Sequence, residues 1–201
     1  MRIAVIGATG TIGRAVCRTL AARHDVIKVG NKSGDFQVDL ANPDSIQALY
    51  KAIGPLDAVV STAGQAKFAD LAQLTDEDFH FSLFHKLMGQ VNLVRLGASL
   101  LRDLGSFTLT SGVLSQEPMK GSAAISLVNG GLDGFVRAAA LELPRGLRIN
   151  IVSPTWVTET LQARGMDLAG GMPADRVAFA CVESVEGMRT GQVLDTRMFR
   201  K

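Results

Sequence analysis

The sequence predicts an α/β protein: a doubly wound parallel sheet of about seven strands, flanked by helices on both faces. Three observations predict it. Short apolar runs of strand length alternate with longer stretches of helical period along the whole chain. Apolar residues make up 47% of the 201 residues and charged ones 20%, enough to fill a core and too apolar for disorder. The length is that of one compact unit, and no repeat, low-complexity tract or linker interrupts it, so residues 1–201 read as a single domain.

The opening run Arg2-Ile3-Ala4-Val5-Ile6 is a buried-type strand over residues 3–6. Residues 11–22 form a helix, because Ile12, Val16 and Leu20 recur every fourth position. Residues 26–29 are a second strand and residues 36–39 a short third. Asn42-Pro43 opens the next helix: the asparagine caps an N–H of the first turn, and the proline sits where no donor is needed. Ile46, Leu49, Tyr50 and Ile53 make one apolar face of that helix. Residues 58–61 are the fourth strand. Thr75-Asp76-Glu77-Asp78 is a capping-type start, and the periodicity beyond it predicts one long helix running toward Leu104. Residues 107–110 are the fifth strand. A second long helix covers residues 122–143, with Val128, Leu132, Phe135 and Ala139 facing the core. Residues 148–152 are the sixth strand. Helical pieces follow near Glu159 and after Pro173, and residues 192–194 complete the sheet. The glycine-rich stretch 168–172 reads as a mobile surface loop.

The segment Gly7-Ala8-Thr9-Gly10-Thr11-Ile12-Gly13 directly follows the first strand and opens the first helix. In that context each glycine has a use. Gly7 makes the tight turn, Gly10 lets the backbone approach a pyrophosphate, and Gly13 lets helix and strand pack closely. The helix N-terminus then offers free N–H groups and a positive dipole end to phosphates. The fold is therefore read as Rossmann-type, with Gly7, Thr9, Gly10, Thr11, Ile12 and Gly13 as candidate dinucleotide contacts.

The end of the second strand chooses between dinucleotides. A carboxylate there would bind the adenosine ribose hydroxyls and favour NAD. This chain has Gly30-Asn31-Lys32-Ser33 instead. With no carboxylate to repel it, a 2′-phosphate can be met by Lys32 and by the side chains of Asn31 and Ser33. The expected cofactor is NADP, ahead of NAD.

Further segments resemble the short-chain dehydrogenase/reductase family at matching points over nearly the whole chain. Asp39-Leu40 resembles its adenine-binding pair. Ser61-Thr62-Ala63-Gly64 resembles its Asn-Ala-Gly motif, with Thr62 in the Asn place. Thr110-Ser111 resembles the segment of the catalytic serine. The stretch Ser153-Pro154-Thr155-Trp156-Val157-Thr158 resembles the one that holds the nicotinamide, with Thr155 in place of glycine. The resemblance implies cofactor contacts from Asp39, Leu40, Thr62, Ala63, Gly64, Pro154, Thr155, Val157 and Thr158.

The same alignment exposes a departure. The family's active site pairs a Tyr with a Lys four residues later, beside a Ser and an Asn. The Tyr donates a proton to the carbonyl, and the Lys lowers its pKa and holds the ribose. Here Ile125 stands at the Tyr place, Asn129 at the Lys place and Lys86 at the Asn place. Ile125 has no ionisable proton. Asn129 can bond a ribose but brings no charge, so Lys86 is expected to restore the missing cation from a neighbouring helix. Tyr50, the single tyrosine, lies on a different helix. The candidate catalytic residues are Ser111, Lys86 and Asn129. Ser115, Ser122 and Ser126 are further hydroxyls near them, and His80 and His85 read as ordinary helix residues.

The resemblance implies an oxidoreductase that moves hydride between NADP(H) and a small carbonyl or alcohol, with water, Ser111 or Lys86 as proton donor. A non-catalytic NADP(H) sensor and a scaffold without cofactor remain alternatives, and the intact glycine turn argues against the last. The short run from Thr158 to the last strand fits a small or shallow pocket. Charge is nearly balanced, at +2, which gives no case for nucleic acid or a membrane surface. No run reaches the length of a membrane span, and the N-terminus does not read as a signal peptide. Cys17 and Cys181 lack metal-ligand spacing and read as buried thiols of a reducing cytoplasm; no metal is expected. The two long helices resemble the pair that forms the family's subunit interface, which implies a homodimer or homotetramer.

Overall fold

The computed structural model describes residues 1–199. Seven parallel strands form one sheet in the order β3-β2-β1-β4-β5-β6-β7. They are β1 (Arg2–Ile6), β2 (Asp25–Gly30), β3 (Phe36–Gln37), β4 (Leu56–Ser61), β5 (Leu101–Thr110), β6 (Arg148–Ser153) and β7 (Val193–Asp195). The helices are α1 (Thr11–Ala21), α2 (Pro43–Ile53), α3 (Asp76–Ser82), α4 (Gly89–Gly97), α5 (Ala123–Glu142), α6 (Thr158–Ala163) and α7 (Ala174–Glu186). The order reverses between β1 and β4. Open α/β sheets place ligands at that switch point, outside the carboxyl ends of the strands.

Strand alternation sorts the core into two layers. Ile3 and Val5 of β1, with Ala58 and Val60 of β4, pack against Val16 and Leu20 of α1 and Val177 and Cys181 of α7. Ala4, Ile6 and Val59 point the other way, onto Ile46 and Leu49 of α2, Leu93 of α4 and Leu132 of α5. Each strand of this kind is buried on both faces, which explains its nearly continuous apolar sequence. Both cysteines are free and buried.

Local signals decide the helix ends. Asn42 Oδ1 accepts the Asp44 N–H at 2.9 Å, with Pro43 in the first turn. Thr75 and Asp78 form a reciprocal capping box at the start of α3.

The expected long helix toward Leu104 is corrected in two ways. Residues Leu83–Met88 are π-helical, so the run is divided into α3, that π segment and α4. It also stops at Gly97, whose absent side chain leaves room for the Tyr50 ring. Leu100, Leu101 and Leu104 continue the helical spacing but belong to a turn and to β5. Only Leu101 is buried; Leu100 and Leu104 are exposed. In the β4–β5 pairing Leu56 faces Leu101 and Ala58 faces Ser106, so β5 bulges between them.

The third strand is shorter than expected, ending at Gln37. The 168–172 stretch is not wholly a surface loop. Met172 is buried and pairs with Val157 in an isolated bridge, tying the segment to the start of α6.

Candidate active site

The glycine turn follows β1 with Gly7 at φ +83°, a conformation open to glycine. Its N–H and that of Ala8 both donate to the Val29 carbonyl, at 2.8 and 3.0 Å, which fixes the turn to the end of β2. A Cβ on Gly13 would overlap the Gly7 carbonyl, and one on Gly7 would lie 3.0 Å from Thr62 Oγ1 and Ala63. These glycines therefore let α1, the turn and the end of β4 come together. Gly10 is the N-cap of α1, and no side chain caps the helix there. Its first-turn N–H groups, together with the dipole, are available to an anion.

From this turn a groove runs in both directions along the carboxyl ends of the strands. On the β2 side it is lined by Gly7, Thr9, Gly10, Asn31, Asp39, Leu40 and His85. On the β5 and β6 side it is a cleft of about 270 Å³ lined by Ile12, Lys86, Ser111, Ile125, Asn129, Pro154, Thr155, Trp156 and Val157. Thr62, Ala63 and Gly64 line both halves and join them. The sequence-predicted residues thus converge on one feature, with five exceptions. Thr11 and Gly13 do not line it. Lys32 and Ser33 are exposed in the loop after β2, beyond the groove lining. Thr158 gives its N–H to Met172, and Thr160 lines the cleft in its stead.

The cleft floor is the end of β5. Three consecutive carbonyls there each accept a hydrogen bond from a helix side chain. Gln90 Nε2 donates to Thr110 at 2.9 Å, Lys86 Nζ to Ser111 at 3.0 Å and Asn129 Nδ2 to Gly112 at 3.3 Å. Gly64, at φ +132°, leaves room for the Lys86 stem, which a Cβ would strike at 2.8 Å. Lys86 belongs to the π-helical segment, a departure from α-helix often found at functional sites.

Burial pushes the Lys86 ammonium down to about 8, while the carboxylate of Asp133 acts in the opposite direction. Ser111 Oγ and Asn129 Oδ1 are buried in the cleft wall without a partner among the described residues. Buried polar atoms of this kind are rare unless a ligand or water completes them. Ile125 also lines the cleft. Tyr50 does not replace it: its hydroxyl donates to the Leu93 carbonyl at 2.7 Å in the α2–α4 interface, and burial raises its pKa.

Sequence reasoning missed Asp133 and Gln90. Asp133 had a legible signal, a carboxylate beside the apolar positions Val128, Leu132 and Val136. Gln90 had none, since its role depends on where β5 ends.

A family model described as enoyl-(acyl carrier protein) reductase matches residues 7–183. The chain belongs to the short-chain dehydrogenase/reductase family. Among the oxidoreductases of this family, the 3-oxoacyl-[acyl-carrier-protein] reductase of Mus musculus is 27% identical over 175 residues, covering 77% of this chain and 74% of its own. The L-xylulose reductase of Bos taurus is 28% identical over 174 residues, covering 78% and 71%. The solved structure of the protein lin1944 from Listeria innocua superposes with a TM-score of 0.94 at 42% identity, over 97% of this chain and 98% of that one. A short-chain dehydrogenase from Burkholderia cenocepacia J2315, solved in complex with NADP, gives 0.83 at 25% identity, over 96% and 95%. As in the rest of the family, the groove suits a nicotinamide dinucleotide, NAD or NADP. Its turn offers uncapped N–H groups to the pyrophosphate, and its unpartnered Ser111 and Asn129 atoms lie at the other end.

Proposed function

We propose that the chain is an NADP(H)-dependent reductase of a small carbonyl compound, working without the family's Tyr–Lys pair. The observation that carries this reading is the cluster at the end of β5. Ser111 Oγ and Asn129 Oδ1 are buried and unpartnered beside a buried lysine, at the end of a groove that starts on the glycine turn.

In this reading Gly10 and the first turn of α1 hold the pyrophosphate, with Thr9, Thr11 and Ile12 beside it. Asn31, Lys32 and Ser33 meet the 2′-phosphate. Asp39 and Leu40 flank the adenine, while Thr62, Ala63 and Gly64 support the middle of the dinucleotide. Pro154, Thr155 and Val157 position the nicotinamide, and Asn129 bonds its ribose. Bound there, the cofactor supplies hydride. Ser111 Oγ orients the substrate oxygen, and Lys86 places positive charge where negative charge develops. Val113, Leu114, Ile125 and Trp156 give the substrate end an apolar wall. NADP is preferred because Asn31-Lys32-Ser33, without a carboxylate, directly follows β2 and because the Burkholderia relative was solved with NADP.

The protein is also proposed to form a two-fold oligomer through α4 and α5. Leu127, Gly130, Gly134 and Leu141 form an exposed strip on α5, and a Cβ at either glycine would meet nothing within 4 Å.

A second reading, a non-catalytic NADP(H) binder, draws on Ile125, which has no proton to give. One assay separates the two. A panel of small aldehydes and ketones is incubated with NADPH and the loss of reduced-nicotinamide absorbance is followed. Turnover that Lys32→Ala weakens more with NADPH than with NADH supports the reductase. Tight NADPH binding with no turnover across the panel supports the sensor.

A further inference from the structure

α5 carries a carboxylate on its buried side. Asp133 is 4% exposed and stands one helical turn beyond Asn129. Its Oδ2 accepts from Ser115 Oγ at 2.8 Å, and its Oδ1 has no partner among the described residues. The π-helical segment that packs on α5, with Leu87 against Gly131, carries Lys86, 8% exposed, with one N–H given to the Ser111 carbonyl. An ammonium has three N–H donors, so two remain for other acceptors. The side chains form no direct ion pair, but both are anchored at the same turn: Lys86 on the Ser111 carbonyl, and Asp133 on Ser115 Oγ, which also lies 3.2 Å from the next carbonyl, that of Gly112, and Asp133 is the charge that acts on Lys86.

The surroundings of Lys86 make this pairing specific. The turn at Gly64 and the end of β5 bring neutral groups, and α5 brings neutral Asn129 along with Asp133. Arg137 and Glu142 lie farther along α5 at the surface. His80 and His85 lie on the same helical run as Lys86.

We propose that Asp133 is the counter-ion that keeps Lys86 an ammonium, and that Lys86 is the acid that protonates the substrate oxygen. This rests on the reading of the cleft as a reductase site. The bound cofactor's part is to supply a hydride, with its electron pair, to the carbonyl carbon, so that the nicotinamide is oxidised and the carbonyl reduced. The π pair of the C=O bond moves onto oxygen. An N–H bond of Lys86 breaks as the O–H bond forms, leaving a neutral amine that recovers its proton from solvent. The family uses a cation to acidify a neutral phenol. Here an anion sustains a cationic acid. Asp133 is a positioning residue, since it acts on the reaction only through Lys86.

The test reads charge rather than turnover. Protein with 13C-labelled lysine Cε is titrated by NMR without ligand, and Lys86 is assigned by its loss in Lys86→Arg. The expected midpoint is near 8. Asp133→Asn should lower it by about one pH unit or more, and Asp133→Glu should leave it near the wild-type value. The alkaline limb of the kcat profile should move down by the same interval in Asp133→Asn alone. An unchanged midpoint in Asp133→Asn, or equal movement in Asn and Glu, overturns the proposal. So does a protonated Asp133 carboxyl at neutral pH, read from its own 13Cγ shift in wild-type protein, which needs no variant to fold. Neither NMR measurement involves cofactor. Failure here leaves the NADP reading standing, and failure to bind NADPH leaves the Lys86–Asp133 pairing standing.

Discussion

Gln90 holds both backbone polar groups of Thr110: its Nε2 donates to the Thr110 carbonyl and its Oε1 accepts the Thr110 N–H, each at 2.9 Å. The β4 ladder reaches β5 only as far as Val60 and Thr108. Beyond that point β5 has lost β4 as a neighbour, though β6 continues beside it to Val152, and a side chain from α4 stands in for β4. The Thr110 hydroxyl, donating to the Ser61 carbonyl at 2.7 Å, ties the two strand ends together. Ser111 is the next residue, so the position of the proposed catalytic serine depends on this clamp.

Gln90→Leu should therefore destabilise the protein by about 3 kcal/mol, because it strands a buried N–H and a buried C=O together. Urea unfolding reads the loss. A change below about 0.5 kcal/mol would mean that water replaces the amide without cost.

Gly13→Ala tests the glycine turn. The added methyl group meets backbone, the Gly7 carbonyl, which cannot move without breaking the turn's bonds to Val29. Calorimetric titration should show NADPH affinity lost by about tenfold or more, with a stability loss of about 1–3 kcal/mol. Wild-type affinity in this variant would remove the turn from the binding site.

Lys86→Met should stabilise the protein while removing activity. Below pH 8 the lysine is protonated in both folded and unfolded chains, and its burial costs the full difference between the two pKa values. That is about 1–3 kcal/mol once the lost bond to Ser111 is set against it. Between about 8 and the ordinary lysine value of 10.5 the folded chain is deprotonated first, so wild-type stability rises with pH. The advantage of Lys86→Met should shrink over that interval and vanish above it. Thermal unfolding across the range checks the sign; an advantage that grows with pH contradicts it.

Gly134→Arg should produce a monomer. The position is exposed with open space around it, so the monomer tolerates the side chain, and replacing glycine in a helix adds up to about 1 kcal/mol. A two-fold interface on this face would not tolerate two opposed guanidinium groups. Light scattering should report half the wild-type mass; an unchanged dimer places the interface elsewhere.

Much of this architecture is legible in the sequence, because its causes are local. The central strands β1, β4 and β6 are runs buried on both faces, and the helix starts at Asn42 and Thr75 carry their own caps. The glycine turn is legible for the same reason, since its geometry is set within seven residues. The end of α4 is not, because Leu100, Leu101 and Leu104 keep helical spacing and the deciding contact, Gly97 on Tyr50, lies between distant segments. Ile125, Asn129 and Lys86, singled out by the family resemblance, all line the cleft. The electrostatic role of Asp133 requires knowing that α5 turns that face toward the π-helical segment.

The central claim is that the groove across the ends of β1, β4, β5 and β6 binds NADP(H). Trp156 lines its nicotinamide end and is the single tryptophan of the chain. Titrating NADPH while following Trp156 emission should give saturable quenching, with a weaker response to NADH and the preference lost in Lys32→Ala. Emission unchanged by either dinucleotide, with calorimetry equally silent, would contradict the account.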